Sequence, residues 1–265
     1  TGSGASLGIP NKNAIELIPS TIAGIAVKLV VLDDGGDPSV AVRNMRKFTQ
    51  EDKADVVIGS SNTPTCLAMA DTALETKTPQ LCLSPTAVRN PWVFYTPQAV
   101  QLMVDGLVEH MKANGVRTAG SIGFTDGWGD LCYDLFVKLA GLAGIKVVSA
   151  ERYARADTSV TAQVLKLLGT SPDAIFVGAS GTPATLPQST LIERGYKGKV
   201  YHTHGILNQD FLRVGGKAAE GLIAPAGPLM LAASLQDSHP VKKEALEFTR
   251  IYSARYGAGS RNPFA

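Results

Sequence analysis

Five short segments gather the side chains with the greatest capacity for chemistry. They are Gly59-Ser60-Ser61-Asn62-Thr63, Ser84-Pro85-Thr86-Ala87, Thr125-Asp126-Gly127-Trp128-Gly129, Ala179-Ser180-Gly181-Thr182-Pro183 and His202-Thr203-His204-Gly205. Each follows a short apolar run. Hydroxyl and amide side chains at the opening of a helix sit beside unsatisfied backbone N–H groups and the positive end of the helix dipole, a combination that holds an anion such as a carboxylate. Lys and Arg are absent from all five segments, which points to a lightly charged ligand rather than a polyphosphate. A single Ser or Thr in such a place is also an ordinary helix cap. The argument for binding rests on the five taken together.

Other chemistries find less support. His202 and His204 alternate along an expected strand, so both rings fall on one side and begin a metal site, yet no third ligand lies nearby. A ligand contact by His204 and a structural histidine pair are the alternatives. Nothing matches G-x-S-x-G, H-E-x-x-H or Gly-Lys-Ser/Thr, and no carboxylate pair suits acid–base work. Asp33, Asp34 and Asp37, interleaved with Gly35, Gly36 and Pro38, read as a capped turn. The opening Thr1-Gly2-Ser3-Gly4-Ala5-Ser6-Leu7-Gly8 approximates the dinucleotide turn of short-chain dehydrogenases but carries Ser6 where that pattern has glycine. No Tyr is followed four residues later by Lys, so an NAD(P)-dependent dehydrogenase is the rival enzyme reading rather than the leading one, and no cofactor is expected. Trp128, between two glycines, is either buried packing or a ligand cover. Phe264 carries the same two readings.

These segments need elements to position them. Strands are expected over 27–32, 55–59, 80–83, 118–124, 146–150, 173–177, 199–202 and 221–224, with helices over 40–51, 66–75, 100–114, 129–143, 160–168, 185–194 and 241–255. Most of the strand runs are continuously apolar, as strands covered on both faces are. Alternation of this kind defines a doubly wound parallel α/β protein. Ligands of such sheets bind beyond the carboxyl ends of the strands, where the five segments lie. A short apolar segment between prolines at 90–97 and a Pro- and Gly-rich break at 224–228 imply two crossings of the chain: a first lobe over 1–96, a second over 97–227, and a return to the first over 228–265.

Composition narrows the class further. Of 265 residues, 45% are hydrophobic and 18% charged, with a net charge of +2 and no basic stripe, so a packed globular protein is expected and nucleic acid is not a partner. The apolar stretch Ala23 to Leu32 is interrupted by Lys28 and is shorter than the ~20 residues of a membrane span. No charged and apolar leader opens the chain. Cys66, Cys82 and Cys132 lack C-x-x-C spacing and read as buried small hydrophobes, with a Cys66–Cys82 disulfide as the alternative in an oxidising compartment.

Taken in order, Thr1-Gly2-Ser3-Gly4 to Gly8, Asp33-Asp34-Gly35-Gly36-Asp37-Pro38, Val57-Ile58-Gly59, Ser84-Pro85-Thr86-Ala87, Trp128-Gly129 and Ala219-Glu220-Gly221-Leu222 resemble the branched-chain amino acid binding proteins of ABC importers. The likeness runs over almost the whole chain. It implies a type I periplasmic binding protein: two doubly wound lobes joined by a hinge, closing on a small molecule without chemistry and presenting it to a membrane permease. It implies a periplasmic or lipid-anchored extracellular location. A sensory ectodomain is a further possibility on the same fold. By resemblance, Thr63 and Thr86, with Ser61, Asn62 and Ala87 beside them, hold the ligand carboxylate, while Trp128 and Ser180 contact it from the second lobe. Leu7, where relatives often carry Tyr, is apolar wall. His204 matches the carboxylate that neutralises an amino acid's ammonium, and a neutral imidazole cannot replace that charge. The expected ligand is therefore an acid without an amine, an aromatic carboxylate lined by Trp128, His204 and Phe264. Gly36 replaces the family's disulfide partner beside the Asp-Asp turn. The resemblance begins after the family's first strand and stops before its last elements, so a longer natural chain is expected.

Overall fold

The computed structural model describes residues 1–86 and 89–262. It divides into two compact units, Thr1–Pro97 with Gly227–Ala265, and Gln98–Ala226.

In the first unit, a helix that the sequence patterning did not announce, α1 (Ala5–Ile15), opens the chain. Its apolar residues lack a clear helical stripe, which is why periodicity missed it. A hairpin follows, β1 (Thr21–Ile22) against β2 (Ile25–Ala26), turning through Ala23 and Gly24, both with positive φ. The strand expected over 27–32 does not form. This segment joins no ladder among the described residues and leaves Leu29, Val30 and Val31 exposed. The Asp-Asp turn is capped as expected: Asp33 and Asp34 accept from the N–H groups of Gly35 and Gly36, and Asp37 accepts from those of Ser39 and Val40 to start α2 (Pro38–Arg46). A π-helical turn, Lys47–Glu51, closes it.

The parallel sheet of this unit runs β3 (Val57–Ile58), β4 (Gln80–Cys82), β5 (Val93–Tyr95), with α3 (Thr63–Thr76) crossing over between the first two. The third strand lies inside the 90–97 segment that reads as a break in sequence. Met45, Val57, Met69, Ala73 and Val93 form the core. Cys66 on α3 and Cys82 on β4 join in a disulfide with Cα atoms 6.0 Å apart, which corrects the reading of both as free thiols. The returning helix Lys242–Tyr256 packs on α1, where the Asn13 amide donates to the Tyr252 hydroxyl at 3.3 Å and the Tyr256 hydroxyl donates to Glu16 at 3.0 Å.

The second unit alternates without a break: α4 (Val100–Ala113), β6 (Thr118–Phe124), α5 (Gly127–Leu142), β7 (Lys146–Tyr153), α6 (Thr161–Gly169), β8 (Ala174–Gly178), α7 (Thr185–Glu193), β9 (Lys199–His202) and α8 (Gln209–Gly215). Its sheet is parallel throughout, in the order β7-β6-β8-β9. Every residue of β8 and all but the first of β6 is buried, as befits central strands covered on both faces. On α4, Val100, Met103, Val104, Leu107, Val108 and Met111 recur at helical spacing and supply one side of that cover. The strand expected over 221–224 is reduced to a single bridge between Tyr201 and Ile223. Since β7 pairs on one side of β6 and β8 on the other, the order reverses at β6, which puts the topological switch point between β6 and β8.

Candidate functional site

The carboxyl ends of both sheets carry the expected residues, and the two sets differ in kind. In the first unit, Ser61, Asn62 and Thr63 lead from β3 into α3. The Thr63 hydroxyl is committed internally: it donates to the Pro85 carbonyl at 2.9 Å and pairs with the Ser84 hydroxyl at 2.7 Å. It has one proton, already used. What remains to Thr63 is its backbone N–H, and because Pro64 has none, Thr63 and Thr65 supply the first-turn donors of α3. Asn62 stands at the N-cap without capping, and its Oδ1 is buried without a partner. Gly4 presses on this side chain so closely that a Cβ there would lie 2.4 Å from Asn62 Nδ2. Ser61 accepts from the Asn11 amide of α1 at 2.9 Å, and Leu7 of α1 is buried. Thr86 differs from Thr63, since its hydroxyl is buried with no protein partner. Ala87 lies outside the described residues, as does Phe264.

In the second unit, Trp128, Ser180 and His204 come from the ends of β6, β8 and β9. The Trp128 ring is buried and meets His204 edge-to-face, ring centres 6.1 Å apart, and its indole N–H has no partner. Asp126 caps α5, accepting from the N–H groups of Trp128 and Gly129 at 3.0 and 3.2 Å. Gly129 is required there, because a Cβ would sit 1.9 Å from the Phe124 carbonyl oxygen. Ser180 is buried against Gly205, where a Cβ would come within 2.5 Å of its own.

The two histidines do not form a pair. His202 ends β9, and Thr203 then caps a 3₁₀ turn that begins at His204, so the strand alternation stops before the second ring is placed. His202 is fully buried, with Nε2 2.8 Å from Gln188 Oε1 and its ring edge-to-face with Phe211. His204 turns instead to Met103, its Nδ1 2.9 Å from the thioether sulfur. Burial lowers the His204 pKa from the usual 6.5 to about 4, so the ring is neutral at pH 7. Among the described residues no group of His, Cys, Asp and Glu is arranged to hold a metal ion, and the metal reading falls with the pair.

Met103 was not singled out in the sequence, and Ser84 and Asp126 stood out only as members of their strand-end segments, without a role of their own. Asp126 carried a usable signal, an acid directly before a Gly-flanked helix start. Met103 carried none, since it is one member of an apolar stripe.

The family model described as periplasmic binding protein matches residues 1–265. The chain belongs to the periplasmic binding protein family. This periplasmic binding protein is similar to an extracellular ligand-binding receptor from Rhodopseudomonas palustris HaA2, at 47% identity over 100% of the chain and 75% of that structure, with a TM-score of 0.97. It is 24% identical to Leu/Ile/Val-binding protein homolog 3 of Brucella melitensis, over 96% of the chain and 69% of the relative. A solute binding protein of an ABC transporter from R. palustris, solved in complex with benzoate, shares the fold at a TM-score of 0.86 and 20% identity, covering 100% of the chain and 73% of that structure. The fold is thus the two-lobed type I arrangement. The protein is an extracytoplasmic binding protein, located in the periplasm or outside the cell. It binds rather than catalyses.

Proposed function

We propose that this periplasmic binding protein delivers a small carboxylate without an amine, an aromatic acid of the benzoate type, to its permease. The observation that carries the reading is the lack of an available countercharge beside Trp128 and His204 in the second unit. His204 matches, by resemblance, the position where amino acid binders carry a carboxylate, and burial holds it neutral. The nearby acid, Asp126, is occupied by two helix amides and by Arg155 at 2.6 Å. A buried ammonium without a countercharge costs several kcal/mol, more than an imidazole hydrogen bond returns. Trp128 and His204 offer aromatic surface instead. The first unit supplies what a carboxylate needs, in the N–H groups that open α3 and the unpartnered Thr86 hydroxyl, with Ser61 and Asn62 beside them and Leu7 as wall. Ser180 completes the second unit's contribution.

The name of the Brucella relative favours a branched-chain amino acid as the second reading. Calorimetry with benzoate and with leucine separates the two. The expected result is benzoate binding with leucine at least about tenfold weaker, a difference of roughly 1.4 kcal/mol. Tight leucine binding with no benzoate response overturns the proposal. His204→Glu, which sets a negative charge beside the bound acid, is expected to weaken benzoate at least about tenfold.

A further inference from the structure

Around the start of α5, three side chains are joined in a way that capping alone does not require. Asp126 uses Oδ1 for the N–H groups of Trp128 and Gly129, and its Oδ2 accepts from Arg155 Nε at 2.6 Å. Arg155, just beyond the end of β7, lays its guanidinium 4.0 Å over the Phe124 ring, and both members of the ion pair are mostly buried, at 16% and 21% side-chain exposure. Phe124 is the last residue of β6, and its carbonyl accepts from Arg152 at 2.7 Å while Gly129 packs against the same oxygen. The turn that carries Trp128 is therefore clamped from strand β6 on one side and from the β7 end on the other. The indole on this turn is buried and keeps an N–H without a partner, so its orientation decides which way a donor points.

We propose that the Asp126–Arg155 ion pair is the positioning device for Trp128, fixing the helix start so that the indole is presented to the ligand in one orientation. The ligand contact itself rests on the function proposed above; the clamp does not. Arg155 acts through Asp126 and is a positioning residue. A guanidinium suits the task because it makes a directed hydrogen bond and stacks on an aromatic face at once, which an ammonium does less well. Long-range charge is not the agent, since the pair is internally neutral. Freed from Arg155, Asp126 retains its cap but loses the anchor for its second oxygen, and the turn gains freedom.

The experiment uses the whole chain with Trp92→Phe, which leaves Trp128 as the sole tryptophan of the two in the sequence. Arg155→Met is expected to raise acrylamide quenching of Trp128 and to reduce its near-ultraviolet circular dichroism, with far-ultraviolet signal retained. Arg155→Lys, which keeps the cation, is expected to restore part of both. If Arg155→Met fails to fold, Arg155→Lys and Asp126→Asn carry the comparison. Unchanged quenching and dichroism in the folded variants overturn the clamp. Benzoate titration then reads its consequence: Arg155→Met weakens binding about three- to tenfold in the Trp128 background and has no further effect when combined with Trp128→Ala. Equal losses in the two backgrounds overturn action through Trp128. If benzoate does not bind the parent protein, the ligand reading fails, while the spectra still decide the positioning role.

Discussion

The first unit builds its sheet from three strands of two or three residues and closes it with a covalent link between α3 and β4. The second has four strands of up to eight residues, a far larger apolar core, and a buried free thiol at Cys132 in place of a crosslink. The residues at their strand ends diverge in the same sense, with amides and hydroxyls in the first unit and aromatic rings with a neutral histidine in the second. A small core cannot cover many unpaired polar groups without additional constraint, whereas a large one can enclose imidazoles and an indole outright. The chemistry each half presents thus follows from how its unit is held together.

Acid provides the most forceful way to separate the units. Burial pushes the pKa of His204 down to about 4 and that of His202 to about 3, both in the second unit. In the unfolded chain each titrates near 6.5. Protons therefore bind the unfolded state first, so the stabilisation is fully present above about pH 6.5 and is lost as the pH falls through that value toward about 4 and then 3. The loss for His204 alone is about 3 kcal/mol at pH 4. Urea unfolding followed by Trp128 in a Trp92→Phe protein, and by Trp92 in a Trp128→Phe protein, is expected to show the second unit weakening more between pH 7 and pH 4. Parallel losses in both reporters would show that the buried histidines do not govern the difference.

Reductant should reverse the asymmetry. A disulfide spanning 16 residues restricts the unfolded first unit, and its loss costs about 3 kcal/mol. Dithiothreitol, or the Cys66→Ala/Cys82→Ala pair, is expected to lower the Trp92-reported transition and leave the Trp128-reported one in place. A shift of the Trp128 transition by the same amount would mean that the two units unfold as one.

What could be read in the sequence follows the same division. The second unit was legible element by element, because β8 is a continuous apolar run, β6 is largely small and apolar, and α4 has a clean stripe, so local pattern and final burial agree. In the first unit the patterns are short and the decisive contacts distant. Nothing in α1 announces a helix, 27–32 has strand composition but pairs with no strand among the described residues, and the Cys66–Cys82 link depends on a geometry that spacing does not contain. The strand-end segments were visible as a class from their hydroxyls and glycines. Which atom within them remains available was not, since the use of the Thr63 proton by Pro85 and the turn of His204 toward Met103 are both tertiary facts.

Thr63 and Thr86 reduce that distinction to a pair of single hydroxyls. Thr63→Val removes a buried hydroxyl whose partners, Ser84 Oγ and the Pro85 carbonyl, are left unsatisfied, so it is expected to cost about 1–2 kcal/mol of stability in the first unit, read by the Trp92 transition. Its effect on benzoate affinity should be the smaller of the two, because the backbone N–H groups that open α3 are retained. Thr86→Val removes a hydroxyl that no protein group uses, so the free protein is expected to be as stable as the parent or slightly more so. Affinity should respond instead, since a hydrogen bond to a carboxylate is worth roughly 1.5–3 kcal/mol. That corresponds to a loss of about ten- to a hundredfold in calorimetry with benzoate. The reverse outcome, with Thr63→Val abolishing binding at full stability and Thr86→Val silent in both measurements, would show that the Thr63 hydroxyl leaves Pro85 to meet the ligand and that Thr86 lies outside the site.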